Sequence, residues 1–407
     1  MAGAGGRRHS DYEGRIVREL RRAGALGRSE IVRRTGLPRS SVFAIVTELI
    51  ARGVLVESHE IPGSSRGRGR PGTTVSLDPD SGLIAGVDVA RDTVRVVIAN
   101  VAHQIIAAGK TGVPPDRSLP ALVTAIDDLL TELRTRHDID AAALEAIGVG
   151  VYGLPGIHGS AADDLDALIE GLGTTFGVPV MVGNNTTFAA LAEATWGAGR
   201  GVSDQLYVRW SVGVGGGYML GGHVVQGSHG FAGEIGHVCV DPAGPECTCG
   251  GTGCLETYVG ASRLLDQCAE RGMKLENVDA LVDSAKARMT VAYDVVLEAA
   301  ERIGFALAGA VSQLDPARVI IGGELGQLGR PVLEVIEAQI GRRSMPRLLR
   351  AVEVVPAELG VNDAALGAVA HVMRHWGAWP RPDRRQPFLS PKGLAGDARR
   401  PYCLVSD

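Results

Sequence analysis

The chain has no apolar run long enough to cross a bilayer. Its opening, M-A-G-A-G-G-R-R-H-S, lacks the apolar core of a secretory leader. Together these absences lead to the expectation of a cytoplasmic protein with no membrane partner. Cysteine is scarce, six in 407 residues, too few for a disulfide scaffold of this size. Lysine is missing from residues 1–72, where fourteen arginines face seven acidic residues and the net charge is +7. The overall charge of −5 therefore hides an acidic remainder of −12. A basic head on an acidic body suggests a nucleic-acid-binding module joined to a sensing or catalytic one, although a solvated basic face has the same composition. At 407 residues and 45% hydrophobic content, two or three domains with large cores are expected.

What is present is concentrated between Gly233 and Glu256. The run G-E-I-G-H is followed, nine residues on, by C-T-C-G-G-T-G-C-L-E. It sets His237, Cys247, Cys249 and Cys254 at a spacing that suits one tetrahedral ion, and thiolate plus imidazole is the ligand set of structural zinc. Glycines between the cysteines let the backbone turn tightly around an ion. The alternative is a disulfide pair and a stray histidine, which the lack of a secretory leader disfavours. Cys239, Cys268 and Cys403 are read as free thiols.

Along the head, residues 11–23 place Ile16, Val17 and Leu20 on one helical face, and Gly24 stops the helix. Ser29 is a plausible N-cap for a short helix ending at Thr35. After a Gly36-Leu37 turn, a third helix starts near Pro38 or Arg39 and runs to Ala51, with Val42, Ile45, Val46, Leu49 and Ile50 inward. A strand begins at V-L-V-E. Helix, helix, tight turn, helix, strand describes a winged helix-turn-helix, and equally a three-helix bundle without DNA function. The basic charge favours the first. Arg39, Ser40 and Ser41 would meet DNA from the N-terminus of the third helix. Phe43 would touch a thymine methyl or pack on the wing. In I-P-G-S-S-R-G-R-G-R-P-G, Arg66, Arg68 and Arg70 suit phosphates or a narrow minor groove, or form a plain basic linker.

From Leu83 the pattern turns to α/β. An opening meander of three strands precedes a helix at 119–137 and a strand over A-I-G-V-G-V. A strand ending in Gly183-Asn184-Asn185 leads to a helix at 188–195. Residues 205–225 read as a hairpin around a glycine turn, and helices dominate 262–314. Two more strands follow, R-V-I-I-G-G and E-V-V-P.

The motif G-E-x-G-H, C-x-C-G-x-x-G-C and the following Glu, all in register, resemble the zinc-binding stretch of the ROK family, which holds sugar-responsive transcriptional repressors and sugar kinases. The resemblance covers roughly residues 10 to 375. It implies an actin/hexokinase-like duplicated α/β fold with a cleft between its lobes. The division expected is a disordered N-terminus at 1–9, a winged helix-turn-helix with basic linker at 10–72, a ROK domain with its zinc site at 73–379, and a disordered Arg/Pro-rich tail at 380–407.

The resemblance also tests for catalysis. Family kinases use the Asp of N-D-x-N to take the proton of the sugar hydroxyl. Asn185 stands at that place, and an amide is no base at neutral pH. Their first phosphate loop reads D-x-G-G-T; here it is Asp88-Val89-Ala90-Arg91-Asp92. The second loop, Gly213 to Gly217, stays glycine-rich, which also fits a tight hairpin, and Gly322-Gly323 matches the adenosine-side turn. The expectation is no enzyme activity. The resemblance assigns Asn184, Asn185, Glu234, His237 and Glu256 to sugar hydroxyls, unless the two glutamates only support the site. The segment Leu154 to Gly159 departs from the family's sugar-site lining, so the effector would be an unusual sugar, a sugar phosphate or nothing. The chain is read as a DNA-binding regulator, most simply a repressor of carbohydrate-related genes. It would carry structural Zn2+, meet a palindromic operator and assemble as a homodimer or dimer of dimers. The alternatives are a sugar kinase with an appended DNA-binding head and a ligand-independent regulator.

Overall fold

The computed structural model describes residues 12–17, 19–20, 23–58, 73–79, 81–101, 104–152, 162–345 and 352–375. The terminal segments 1–9 and 380–407, the linker arginines Arg66, Arg68 and Arg70, and the segment 154–159 lie outside the described residues.

In the head, α1 is helical at residues 12–17, 19–20 and 23, and Gly24 ends it at φ 75°, a conformation open to glycine. Strand β1 (Leu26–Gly27) leads into α2 (Arg28–Thr35). The N-cap of α2 is Gly27, with no side-chain cap, so Ser29 sits two residues too far in to cap it. The helix closes on Gly36 in the left-handed region, as the sequence suggested. Helix α3 (Arg39–Ala51) buries Val42, Ile45, Val46 and Leu49; Ile50 is only half-buried. Strands β2 (Leu55–Ser58) and β3 (Thr74–Leu77) pair antiparallel, and β3 also pairs β1, giving the order β1-β3-β2. That sheet is the wing, and it takes in the first strand after the linker.

The body is built twice on one plan. Strands β4 (Leu83–Val89), β5 (Thr93–Asn100) and β6 (Ile105–Gly112) form an antiparallel meander. Helix α4 (Leu119–Arg136), capped by Ser118, leads to β7 (Leu144–Val151). Helix α5 (Ala162–Phe176) then leads to β8 (Val180–Asn184). The sheet order is β6-β5-β4-β7-β8, with β7 parallel to both neighbours. After α6 (Asn185–Trp196), the second half repeats the plan with β9 (Gln205–Trp210), β10 (Val214–Leu220) and β11 (His223–Val225). The short α7 (Glu256–Val259) and the helices α8 (Ala261–Glu270), α9 (Val278–Lys286) and α10 (Thr290–Leu314) intervene. Then come β12 (Arg318–Gly322), α11 (Gly323–Gly326), α12 (Arg330–Arg343) and β13 (Glu353–Pro356). The order β11-β10-β9-β12-β13 matches the first sheet strand for strand. Helix α13 (Asp363–His375) ends the described chain.

Each sheet is apolar on both faces because both faces are covered. Helices α4 and α5 pack on the first sheet through Ile126, Leu130, Leu168 and Leu172. Helices α8 to α10 and α12 cover the second around Leu206, Val208 and Trp210. Helices α6 and α13 lie between the sheets. They come so close to the first sheet that a Cβ on Gly86 would meet the Ala365 carbonyl oxygen at 1.9 Å. A further cluster passes from Ile16, Leu49 and Leu77 of the head into Ile84, Val97 and Met373 of the body. Among the described residues no helix is long and apolar enough to cross a membrane.

Candidate functional site

The cleft opens between the two sheets, at the ends of β4, β8 and β9 and the turn before β10. Asn184, Asn185, Glu234, His237 and Glu256 all line it, so the five residues assigned to sugar hydroxyls come together in space. They do so with different freedom. Asn184 is the N-cap of α6, and its Oδ1 accepts from the Thr187 N–H at 3.0 Å, which leaves the amide group for a ligand. Asn185 is the first residue of α6, three residues before the start expected from sequence, and it is buried. Its Nδ2 donates to Asp88 Oδ1 at 2.9 Å. Glu256 accepts from the Val214 N–H through Oε2 at 2.9 Å, so it braces the glycine loop as well as facing the cleft. Burial lifts the Glu234 carboxyl above its usual range, His237 opposes the shift, and Glu256 adds to it.

The metal cluster sits at one wall. The short turn Ile235–His237 and the loop from Cys247 to Cys254 bring one ligand atom of each of the four residues within 4.8 Å of the others. Cys249 Sγ lies 3.6 Å from Cys254 Sγ, and Cys247 Sγ lies 3.6 Å from His237 Nδ1. A tetrahedron with Zn–S near 2.3 Å has edges of roughly 3.7 Å, so the donor set and its spacing fit such an ion. The cluster can bind a metal. With Nδ1 turned to the thiols, His237 Nε2 faces Glu234 Oε2 at 3.8 Å. One group thus ties the cluster to the cleft. Burial and the neighbouring thiols push Cys254 up to about 12, while the Gly251 N–H pulls Cys249 down. The loop is fixed from below. Leu255 N–H bonds the Val238 carbonyl, and a Cβ on Gly253 would meet the Asp241 carbonyl oxygen at 1.6 Å. Trp210, fully buried, donates its indole N–H to the Val259 carbonyl at 2.7 Å.

The opposite wall holds what the sequence reading missed. Arg209 on β9 reaches Asp88 on β4 at 3.0 Å, both buried. Arg95 on β5 reaches Glu324 on α11 at 3.3 Å. The first pair joins the two sheets, and the second ties the first sheet to the short helix that follows β12. Tyr207 donates to Asp363 beside them. Burial raises the Asp363 carboxyl, with Arg209 pulling the other way. The sequence signal was a charged residue inside an apolar strand, V-R-W and V-R-V-V-I. The glycines of the second loop serve packing. A Cβ on Gly215 would meet Thr186 Oγ1 at 2.7 Å, on Gly216 Ile235 Cδ1 at 2.6 Å, and on Gly217 Ala190 Cβ at 2.5 Å.

At the head, Arg39 and Ser40 are exposed and Ser41 is half-exposed on the first turn of α3. Phe43 lies under Arg39, with the guanidinium 5.1 Å from the ring centroid, and under Arg28 at 5.7 Å. Its ring therefore orders two arginines on the outer surface.

Residues 84–375 match the ROK family, and residues 16–59 match the IclR helix-turn-helix domain. The chain belongs to the ROK family. Among its relatives, a putative xylose repressor of Caldicellulosiruptor sp. is 28% identical over 383 residues, covering 87% of this chain and 93% of that one. A glucokinase of Halalkalibacterium halodurans is 30% identical over 303 residues, covering 69% of this chain and 92% of its own. A solved ROK family transcriptional regulator, described as a homolog of the E. coli MLC protein, superposes with a TM-score of 0.74 over 90% of this chain and 96% of that one. At 23% identity that likeness speaks for the fold, head included. The mixed α/β architecture is thus a helix-turn-helix head on an actin/hexokinase-like ROK body.

Proposed function

We infer that this ROK protein is a sugar-responsive, DNA-binding transcriptional repressor. The observation that carries this is length of likeness: the repressor relative aligns with 87% of the chain, the glucokinase with 69%. The difference is the size of a head, and the head is a helix-turn-helix. Arg39, Ser40 and Ser41 at the start of α3 would enter the major groove, and Arg66, Arg68 and Arg70 would meet phosphates or the minor groove. Two such heads on a homodimer would span the half-sites of a palindromic operator in the cytoplasm. A sugar held by Asn184, Asn185, Glu234, His237 and Glu256 would favour one arrangement of the lobes and so shift operator affinity. The cluster of His237, Cys247, Cys249 and Cys254 would hold structural Zn2+ and fix His237 toward the sugar.

The glucokinase relative keeps a kinase reading in view, and the cleft argues against it. Asn185 offers no base, Ala90 and Arg91 replace the glycines that would admit phosphates, and Asp92 replaces the threonine. Genomic fragments recovered with the full-length protein, with and without a sugar panel, test the regulator. Sequence-specific recovery that a sugar abolishes is expected; fragments without a shared sequence would overturn it. Arg39→Ala should weaken binding to the recovered site by about 1–3 kcal/mol and relax one position per half-site. Sustained ATP consumption with any sugar would reinstate the kinase.

A further inference from the structure

The cleft has two chemical ends, and the end away from the metal cluster is already filled by charge. Three arginines line that end, Arg91, Arg95 and Arg209, against the carboxylates of Asp92 and Glu324, while Glu234 and Glu256 stand on the metal wall. Asp88 lies behind them, fully buried. Arg209 is taken by Asp88 at 3.0 Å, and Arg95 by Glu324 at 3.3 Å. Arg91 is exposed and stands next to Asp92. The wall therefore carries no surplus positive charge.

A phosphate brings ≈ −1.5 to −2 charge at neutral pH. To bond either buried arginine it would have to displace a carboxylate and leave that carboxylate buried without its partner. A neutral hydroxyl faces no such conflict. Arg209 Nη1 and Arg95 Nε are buried with no hydrogen-bond partner among the described residues. Each cation is thus enclosed and committed to its carboxylate, and an uncharged hydroxyl can sit in the cleft without breaking either pair.

We propose that the cleft selects an uncharged saccharide and rejects its phosphate esters, with the Asp88–Arg209 and Arg95–Glu324 pairs as the specificity elements. This rests on the sugar-effector reading above, and it settles which chemical class that effector belongs to.

Calorimetry on the full-length protein tests it with three kinds of probe: glucose, xylose and N-acetylglucosamine; glucose 6-phosphate and N-acetylglucosamine 6-phosphate; and inorganic phosphate alone. A neutral sugar should bind, its 6-phosphate should bind at least about tenfold more weakly, and inorganic phosphate should not bind. Glu324→Gln releases Arg95, so uptake of inorganic phosphate and of the esters should rise at least about tenfold. Asp92→Asn, at an exposed position, should move the same way by less and guards against misfolding of the first variant. Wild-type protein that takes an ester as tightly as the sugar, or takes inorganic phosphate, would overturn the proposal. So would two folded variants with no gain. If no sugar binds but wild type refuses phosphate and Glu324→Gln accepts it, the effector reading falls while the exclusion of phosphate stands.

Discussion

The two walls of the cleft use the same fold for opposite ends. On the metal wall, His237, Cys247, Cys249 and Cys254 converge from within eighteen residues of sequence, and Glu256 follows two residues after the last of them. That wall keeps the donor set that suits hydroxyls. On the other wall, Asp88, Arg209 and Arg95 converge from three strands of the two sheets, and Glu324 from the short helix after β12. That wall is occupied by its own ions where a kinase would take phosphates. On the reading proposed above, binding and transfer would be separable properties of one cleft, each resting on a handful of side chains rather than on the architecture.

The contrast can be broken by experiment. The largest effect is expected at the metal wall. Chelation, or Cys254→Ser, should release one ion per chain and lower the melting temperature by about 10 °C or more, because a metal bound only by the folded state adds its binding energy to stability. Elemental analysis finding no metal in the purified protein would remove this half of the comparison. Next comes Asp88→Ala, which leaves Arg209 buried without its partner and Asn185 without its acceptor. A loss of about 3–5 kcal/mol in denaturant unfolding is expected. A loss below about 1 kcal/mol would mean that the pair is wet and the wall is soft.

Asn185→Asp sharpens the contrast further. It restores the residue that the family's kinases carry, yet it sets a second carboxylate beside Asp88. Stability should fall by about 1–3 kcal/mol, and no ATP turnover should appear with any sugar. Turnover would show that the lost base alone silenced the cleft. The smallest effect is a slope. Burial raises the Asp363 carboxyl in the folded state, so its contribution to stability is full below the unfolded value and fades as pH rises through the folded one. The stability gap between Asp363→Asn and wild type should therefore narrow from pH 4 toward neutrality. Parallel melting curves across that range would count against a raised Asp363.

How legible each wall was follows from its sequence span. The metal cluster could be read directly, because its ligands are local and its glycines mark a tight loop. The meander, the parallel strands and the helix-turn-helix were also plain, since their apolar periods are strong. The ion pairs were hidden, because their partners are 121 and 229 residues apart and sequence carries no partner list. Only the oddity of an arginine within an apolar strand hinted at them. Ser29 failed as a cap because α2 starts directly after β1, where Gly27 already holds the extended conformation a cap needs. The glycines at 215–217 kept two readings open until their missing Cβ atoms proved to be filled by Thr186, Ile235 and Ala190.

The unbroken apolar cluster from Ile16 through Leu77 to Ile84, Val97 and Met373 bears on signalling. A head seated in such a cluster is not a bead on a string. To turn, it must carry packed methyl groups from one set of notches to the next, and close-packed surfaces settle in discrete seats rather than drifting. The recognition helix is then presented at a few fixed angles, like a switch with detents. Small fluctuations in the cleft would be absorbed, and only an event large enough to move the head by a whole notch would reach the operator.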